Sequence, residues 1–294
     1  MATARSRLDL ALAVMPFVHR RQRERMLAWF DLMGAAAASD SRLFDIEVVM
    51  PWDRHRLGWR MIGPRTAMLE VLTRYLDTLG PRERRAAQLD RLGAIDPLPA
   101  LGVWLEASDH GLEMGWFSPV ALPIAAVTHF VGESADRQAL VHWCHSHGVG
   151  VCESLVRSVH PEQPWTEFWL PLPGVGQLEQ LYASRAIYRG LAMPLPDNDA
   201  YAGLLRAATG PLVFVLALSR SGPVRIGLAA RAPTAAGAMQ LAEHGGGFQP
   251  EAVVAFQRAL GGMQGPSAVT WVRDASRAGA ELSFSVTREP DAVG

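Results

Sequence analysis

A glutamate and an arginine on neighbouring predicted strands are the first residues whose types suggest chemistry. In the predicted strand from Phe44 to Met50, apolar residues alternate with Asp45 and Glu47, so the two carboxylates share one face. If that face is enclosed, Glu47 has two open roles. It is either a general base that accepts a proton from a reacting group, or the ion-pair partner of Arg60 on the next predicted strand.

Two further arginines, Arg225 and Arg231, fall on one face of a later predicted strand. A guanidinium offers a fork of donors that matches phosphate or carboxylate oxygens, and it stays charged when water is removed. Their shared direction therefore predicts an anion site. The alternative is structural ion pairing with Glu281 or Glu106.

Tryptophan is concentrated on the predicted strands, which carry Trp59, Trp104, Trp116, Trp165, Trp169 and Trp271. The face of an indole attracts a cation, by roughly 2 kcal/mol or more where water is excluded. Alternation places Trp104 on the inner face and Trp59 on the outer face, and we also expect Trp271 to line the interior. For every one of these rings, packing against an outer helix is the alternative.

The histidines and cysteines between His142 and Cys152 resemble a metal cluster, but their spacing is helical. Leu140, Trp143, Cys144 and His147 follow the apolar stripe of an amphipathic helix, so we expect Cys144 in the core. The sequence Asp197-Asn198-Asp199 is typical of a helix N-cap. We therefore predict no metal site built by the protein.

Composition excludes several classes of protein. All 28 basic residues counted as Lys or Arg are arginine, so Schiff-base, pyridoxal-phosphate and P-loop chemistries, which need a lysine, are excluded. A formal net charge of -1 argues against nucleic-acid binding. With two cysteines, an N-terminal stretch that is typical of an amphipathic helix and no run of 18 uncharged apolar residues, we expect a cytoplasmic protein with no membrane contact.

The predicted elements repeat as a helix followed by two strands, five times. Strand pairs of this kind suit one closed antiparallel sheet, and covering its outside with helices turns the polar strand faces inward. The predicted fold is therefore α+β: a ten-stranded antiparallel barrel of five αββ repeats in a single domain, residues 1–294. In the third repeat we predict that the helix from Ala135 extends or restarts through Val159, ahead of strands Thr166–Leu170 and Ala186–Met193.

Several stretches resemble the αββα barrel (ABBA) prenyltransferase superfamily, and most of all its cyanobactin-type peptide prenyltransferases. They are Gly102-Val103-Trp104-Leu105 with Leu112-Glu113-Met114, Gly132-Glu133-Ser134-Ala135-Asp136 with Ala139-Leu140-Val141, and Thr270-Trp271-Val272. The order of elements is similar over about residues 40–288. The fourth predicted strand departs from the family, which carries Lys, His and Arg where this chain has Glu113-Met114-Gly115-Trp116-Phe117.

The resemblance implies roles for four residues. Glu47 matches the family's general base, Arg60 matches its contact to the donor diphosphate, and Arg220 and Arg225 match further diphosphate contacts on the seventh and eighth strands. It also implies that any Mg²⁺ is carried by the prenyl diphosphate, with no organic cofactor.

Two functions stay open at this stage. The first is transfer of a dimethylallyl or geranyl group from its diphosphate to an electron-rich side chain of a peptide or a small aromatic acceptor, as in the biosynthesis of ribosomally made, modified peptides. The second is a barrel that has lost diphosphate binding and acts as a binding module, or in other chemistry on a modified peptide.

Overall fold

Ten strands of the computed structural model close into one antiparallel barrel. The structure describes residues 2–15, 18–36, 43–51, 56–78, 98, 100–108, 111–131, 134–159, 164–245, 258, 265–274 and 278–285. The barrel strands are β1 Leu43–Pro51, β2 Arg56–Pro64, β3 Ala100–Ser108, β4 Gly111–Phe117, β5 Ser154–Ser158, β6 Thr166–Pro171, β7 Leu212–Ser219, β8 Gly222–Arg231, β9 Ala268–Arg273 and β10 Ala278–Ser285. Each strand pairs with its neighbours along the chain, and β1 pairs with β10. The predicted ten-stranded barrel is confirmed.

Helices form an outer layer around the barrel. They are Ala2–Val14, Arg20–Ala36, Arg65–Asp77, Ala135–Ser146, Gln177–Gly190, Asn198–Ala207 and Ala235–Gly245. The helix Asn198–Ala207 begins where the sequence predicts a cap, because the Asp197 carboxylate accepts a hydrogen bond from the Ala200 N–H at 2.7 Å. No helix in the described part of the chain is long and apolar enough to cross a membrane.

The main apolar core lies between the barrel and the helices. The Trp59 ring of β2 packs edge-on against Phe30, with ring centroids 6.1 Å apart, and Trp116 of β4 packs in the same way against Phe130. Both tryptophans are almost fully buried, and burial of a large apolar side chain contributes roughly 1.5 to 3 kcal/mol. The outer position expected for Trp59 is confirmed.

Both cysteines are free thiols in this structure. Cys144 lies in the apolar core, as its helical spacing predicts, and Cys152 is also buried. Burial raises the pKa of each thiol to about 12. At neutral pH neither sulfur is the thiolate that nucleophilic chemistry requires.

The third repeat differs from its prediction. Residues 154–158 form strand β5 rather than a helix, and the segment from Gln177 to Gly190 is a helix that includes most of the strand predicted over Ala186–Met193. In that helix Leu181, Ser184, Ile187 and Tyr188 are buried, which is a helical period. Residues 154–158 are instead extended, and Val156 and Arg157 pair with both β4 and β6.

Candidate functional site

A chain of alternating charges runs through the barrel lumen. Arg225 of β8 lies 2.9 Å from Glu167 of β6 and 3.0 Å from Glu281 of β10. Glu281 also accepts a hydrogen bond from Arg56 of β2 at 3.0 Å, and Arg56 lies 3.7 Å from Glu106 of β3. Two arginines thus link three carboxylates across five strands.

The ion pairs set the charge states within this chain. Burial alone would lower the pKa of Arg225, but Glu167 and Glu281 raise it above its ordinary value. Arg56 behaves in the same way: burial opposes its charge, and Glu281 and Glu106 raise its pKa. Both guanidiniums are therefore permanently charged and already held by carboxylates.

Glu47 and Arg60 form a second, more open pair. Their closest atoms, Arg60 Nη2 and Glu47 Oε2, are 2.7 Å apart. The Arg60 side chain is 39% exposed, against 20% for Arg225, and its guanidinium carbon lies 5.9 Å from the centroid of the Phe117 ring. A carboxylate, an accessible arginine and an aromatic ring therefore meet at one point of the lumen.

Two glutamates face one another across β3 and β4. Glu106 and Glu113 are register partners, and both side chains line the same cavity. Burial raises the pKa of Glu106; Arg56 opposes the shift, while Glu113 adds to it. Like charges placed directly opposite on a sheet repel one another. Ionisation of both glutamates is therefore unfavourable unless a cation lies beside them.

One wall of the lumen is aromatic and depends on two glycines. Trp104 and Trp165 are stacked with centroids 5.7 Å apart, and Phe117 packs in the same cluster. A Cβ at Gly115 would lie 2.5 Å from the Trp104 ring, and a Cβ at Gly102 would lie 2.3 Å from the Phe117 ring. Only glycine leaves room for each ring across the strand pair.

A third ion pair lies beside Trp169. Arg231 Nη2 is 2.8 Å from Glu153, and the Arg231 guanidinium carbon is 5.7 Å from the centroid of the Trp169 ring. The Trp169 indole N–H donates to Glu167 at 2.7 Å, which connects this region to the charged chain. Arg231 thus pairs with neither of the two glutamates considered from the sequence.

The two lumen cavities share the central ion pairs. The larger, of about 160 Å³, is lined by Glu106, Glu113, Trp165 and the groups around Arg225, and the smaller, of about 50 Å³, by Glu47, Arg60 and Trp104. The described residues that line them include more acids than arginines. The acids are Glu47, Glu106, Glu113, Glu167, Asp274 and Glu281; the arginines are Arg56, Arg60, Arg225 and Arg273.

No protein-family model matches the chain. It is 26% identical over 280 residues to a PH domain-containing protein of Dictyostelium discoideum, an alignment that covers 92% of this chain and 60% of that protein. The chain therefore spans about three fifths of the length of this curated relative.

Solved structures with the same barrel cover nearly the whole chain. A 6-dimethylallyltryptophan synthase of Micromonospora olivasterospora superposes with a TM-score of 0.66 at 14% identity, over 96% of this chain and 97% of its own. A 5-dimethylallyltryptophan synthase of Streptomyces coelicolor gives 0.60 at 12% identity, covering 99% and 98%. AnaPT of Neosartorya fischeri gives 0.62 at 11% identity, covering 95% and 90%. The chain has the ABBA prenyltransferase fold.

In this ABBA barrel the predicted site residues separate into two groups. Glu47, Arg60, Arg225 and Trp104 line the lumen, and the structure brings them together. Arg220 is exposed in the turn between β7 and β8, away from both cavities. Its place in a diphosphate site is therefore not supported by this geometry.

The expectation that Trp271 lines the lumen is wrong. Its ring belongs to the outer core and stacks on His244 of the helix Ala235–Gly245, with centroids 5.8 Å apart. Thr270 and Val272 line the cavities instead, because alternate residues of β9 face opposite sides. All three residues suit a strand, so the sequence carries no signal for the side on which the indole lies.

Most of the lumen acids are not among the predicted site residues. Glu106 and Glu281 are predicted only as possible partners of arginines, and no role is predicted for Glu167 or Arg56. Glu113 lies in a stretch that resembles the family and in the strand that departs from it, and no role is predicted for it either. Strand alternation would have placed each of these side chains inward once the barrel was accepted.

Proposed function

We propose that this protein transfers a dimethylallyl or geranyl group from its diphosphate to an electron-rich side chain of an aromatic or peptide acceptor, as the cyanobactin-type enzymes do. The observation that carries the proposal is the meeting of Arg60 with Glu47 at 2.7 Å and with the Phe117 ring at 5.9 Å, inside an ABBA barrel. The site combines a group for the diphosphate, a base, and an aromatic wall.

In the proposed reaction the donor's allylic C–O bond breaks, and its electron pair leaves with the diphosphate. The allylic cation that remains lies against the faces of Trp104, Trp165 and Phe117, where its charge is stabilised and water is excluded. Electrons of the acceptor form the new bond to the cation, and Glu47 takes the proton that the acceptor loses. No group of the protein changes its oxidation state.

Arg60 is the arginine best suited to the diphosphate. Its side chain is more exposed than that of Arg56 or Arg225. Among the described ion pairs, Arg60 pairs with one carboxylate, that of Glu47. Arg225 holds two carboxylates, so its predicted diphosphate contact requires that this bridge opens. We propose that Mg²⁺ enters with the diphosphate as part of the substrate and that no organic cofactor is used.

The test is calorimetric binding of dimethylallyl diphosphate to the purified protein, followed by product analysis with tryptophan and with short peptides. Arg60→Ala is expected to weaken donor binding about tenfold or more, since hydrogen bonds to charged groups contribute about 1.5 to 3 kcal/mol. The matched control is Arg20→Ala, whose side chain is 92% exposed on an outer helix.

The second candidate is the binding module. It is favoured by the ion pairs in which Arg56, Arg60 and Arg225 are already engaged, and by the excess of acids among the described lumen residues. If neither C5 nor C10 diphosphate binds the unmutated protein, this candidate replaces the transferase.

A further inference from the structure

The cavity beside Trp165 contains carboxylates whose charge is not fully balanced by the residues that the structure describes. Glu106 lies 3.7 Å from Arg56, which is closer to Glu281 at 3.0 Å. Glu113 accepts hydrogen bonds from the Ser158 hydroxyl and from the Trp165 indole N–H, which are neutral donors. Within the described ranges no arginine forms an ion pair with Glu113. Of these two adjacent acids, only Glu106 has a described guanidinium within ion-pair distance, at 3.7 Å.

A second observation at the same place also points to a missing partner. Trp104 is only 6% exposed, and its indole N–H has no hydrogen-bond partner among the described residues. Trp104 lines the smaller lumen cavity, whereas Glu113 lines the larger one; the two cavities adjoin at Glu106 and Trp165, which line both. A buried N–H without an acceptor is unfavourable, and a carbonyl or carboxylate oxygen of a ligand would satisfy it.

We propose that the two adjoining cavities together bind one organic cation, an ammonium or guanidinium group carried by a molecule that also has a carbonyl oxygen. The cation lies against Glu106 and Glu113, and the carbonyl accepts the Trp104 N–H. The next step rests on the proposed function: the acceptor of the prenyl group is a basic amino acid or peptide. The site thereby favours positively charged acceptors over neutral or anionic ones.

The physical reason is the balance of charge in a shielded space. Ionised carboxylates make short, strong hydrogen bonds to a cationic donor, and two of them side by side match two N–H groups. The stacked Trp104 and Trp165 rings add a face that attracts the same cation. An anionic or neutral acceptor would leave the Glu106–Glu113 repulsion in place.

A bound cation would also help the donor. Among the described residues that line the lumen, carboxylates outnumber arginines, so a diphosphate that enters alone meets net repulsion from them. A cationic acceptor offsets that repulsion, and because coupling between two ligands is reciprocal, each tightens the binding of the other.

The experiment uses the full chain without any donor, so it does not depend on transfer. Calorimetry compares Nα-acetylarginine amide with its neutral analogue Nα-acetylcitrulline amide, and Nα-acetyllysine amide tests whether an ammonium is accepted. We expect both cationic probes to bind at least tenfold more tightly than the citrulline probe. Mg²⁺ alone, as a competitor, separates an organic cation site from a metal site.

Variants then locate the site. Glu113→Gln and Glu106→Gln are expected to weaken the cationic probes about tenfold, and the control Glu70→Gln, exposed on the helix Arg65–Asp77, should leave binding unchanged. Trp104→Phe removes the N–H but keeps a ring. It should weaken the acetylarginine amide several-fold and weaken agmatine, which has no carbonyl and loses only part of the ring attraction, clearly less. Melting curves confirm that each variant is folded.

Equal binding of the arginine and citrulline probes, or no binding of either, overturns the inference, as does displacement of the arginine probe by Mg²⁺. Binding of the cation by a protein that transfers no prenyl group leaves this inference standing and removes the proposed function. Transfer to a neutral acceptor by a protein that binds no cation overturns this inference and leaves the proposed function standing.

Discussion

Arg60 lies 2.7 Å from Glu47, on the strand next to it in the barrel. The two residues that the sequence assigns to different tasks, holding the diphosphate and accepting a proton, therefore act on one another. In the proposed function, a diphosphate that draws Arg60 away would free the Glu47 carboxylate for the acceptor. The pair would then couple donor binding to availability of the base, and variants of either residue test this.

Glu47→Gln should lower turnover by about 100-fold or more, the contribution of a positioned general base. The affinity for the diphosphate should stay the same or improve slightly, because a negative charge is removed beside Arg60. Single-turnover rates and calorimetry measure the two effects. An unchanged rate with a hydroxyl acceptor would show that Glu47 only pairs with Arg60.

Arg225→Ala should destabilise the protein by about 3 kcal/mol, since it removes the buried ion pairs that Arg225 forms with Glu167 and Glu281. Arg60→Ala should cost less than about 1 kcal/mol, because that pair is partly exposed to water. Urea unfolding monitored by circular dichroism gives both values. Similar losses in the two variants would show that the Arg225 bridge does not stabilise the barrel as its burial indicates.

Glu106→Gln should stabilise the protein at neutral pH and have little effect at low pH. Burial raises the pKa of Glu106 in the folded state. Below the pKa of the unfolded chain the carboxyl is protonated in both states and does not affect the free energy of unfolding. As pH rises through the folded-state pKa, ionising the buried carboxylate increasingly destabilises the fold, and Gln avoids this cost. Melting temperatures of both proteins from pH 4 to pH 8 test this. A difference in melting temperature between the two proteins that does not change with pH would contradict a raised pKa for Glu106.

Gly115→Ala should destabilise the barrel by about 1 to 3 kcal/mol and alter the tryptophan fluorescence, because a Cβ there would lie 2.5 Å from the Trp104 ring and 2.0 Å from the Arg157 carbonyl oxygen. Gly210→Ala is the matched control, since no atom lies within 4 Å of a Cβ at that position. Equal stability of the two variants would argue that Trp104 is free to move out of the lumen.

Donor affinity should increase when a cationic acceptor is present. The expected gain is about fivefold or more, within the usual range of coupling between two ligands. Calorimetric titration of dimethylallyl diphosphate with and without saturating Nα-acetylarginine amide measures it, and high salt should reduce the gain. The citrulline analogue is the control, and an equal gain with that neutral probe would exclude an electrostatic cause.

The sequence by itself determined the type of fold and one part of the site. Period-2 alternation in the strands around Glu47 and Arg225 is a local property of the chain, and it placed their charged side chains on the face opposite the apolar residues. Helix caps such as Asp197 are equally local. For the same reason, the prediction that Trp104 faces inward agrees with the structure.

Only the tertiary structure decided which face of an apolar strand points into the lumen and which distant residues become ion-pair partners. Strand β9 carries apolar residues on both faces, so only the closed barrel shows that Trp271 faces the helices. The partner of an arginine depends on which distant strands become neighbours: Arg225 and Glu281 are 56 residues apart, and only the packing inside the barrel brings them together. The excess of carboxylates arises in the same way, because no local pattern records how many charges from separate strands share one enclosed space.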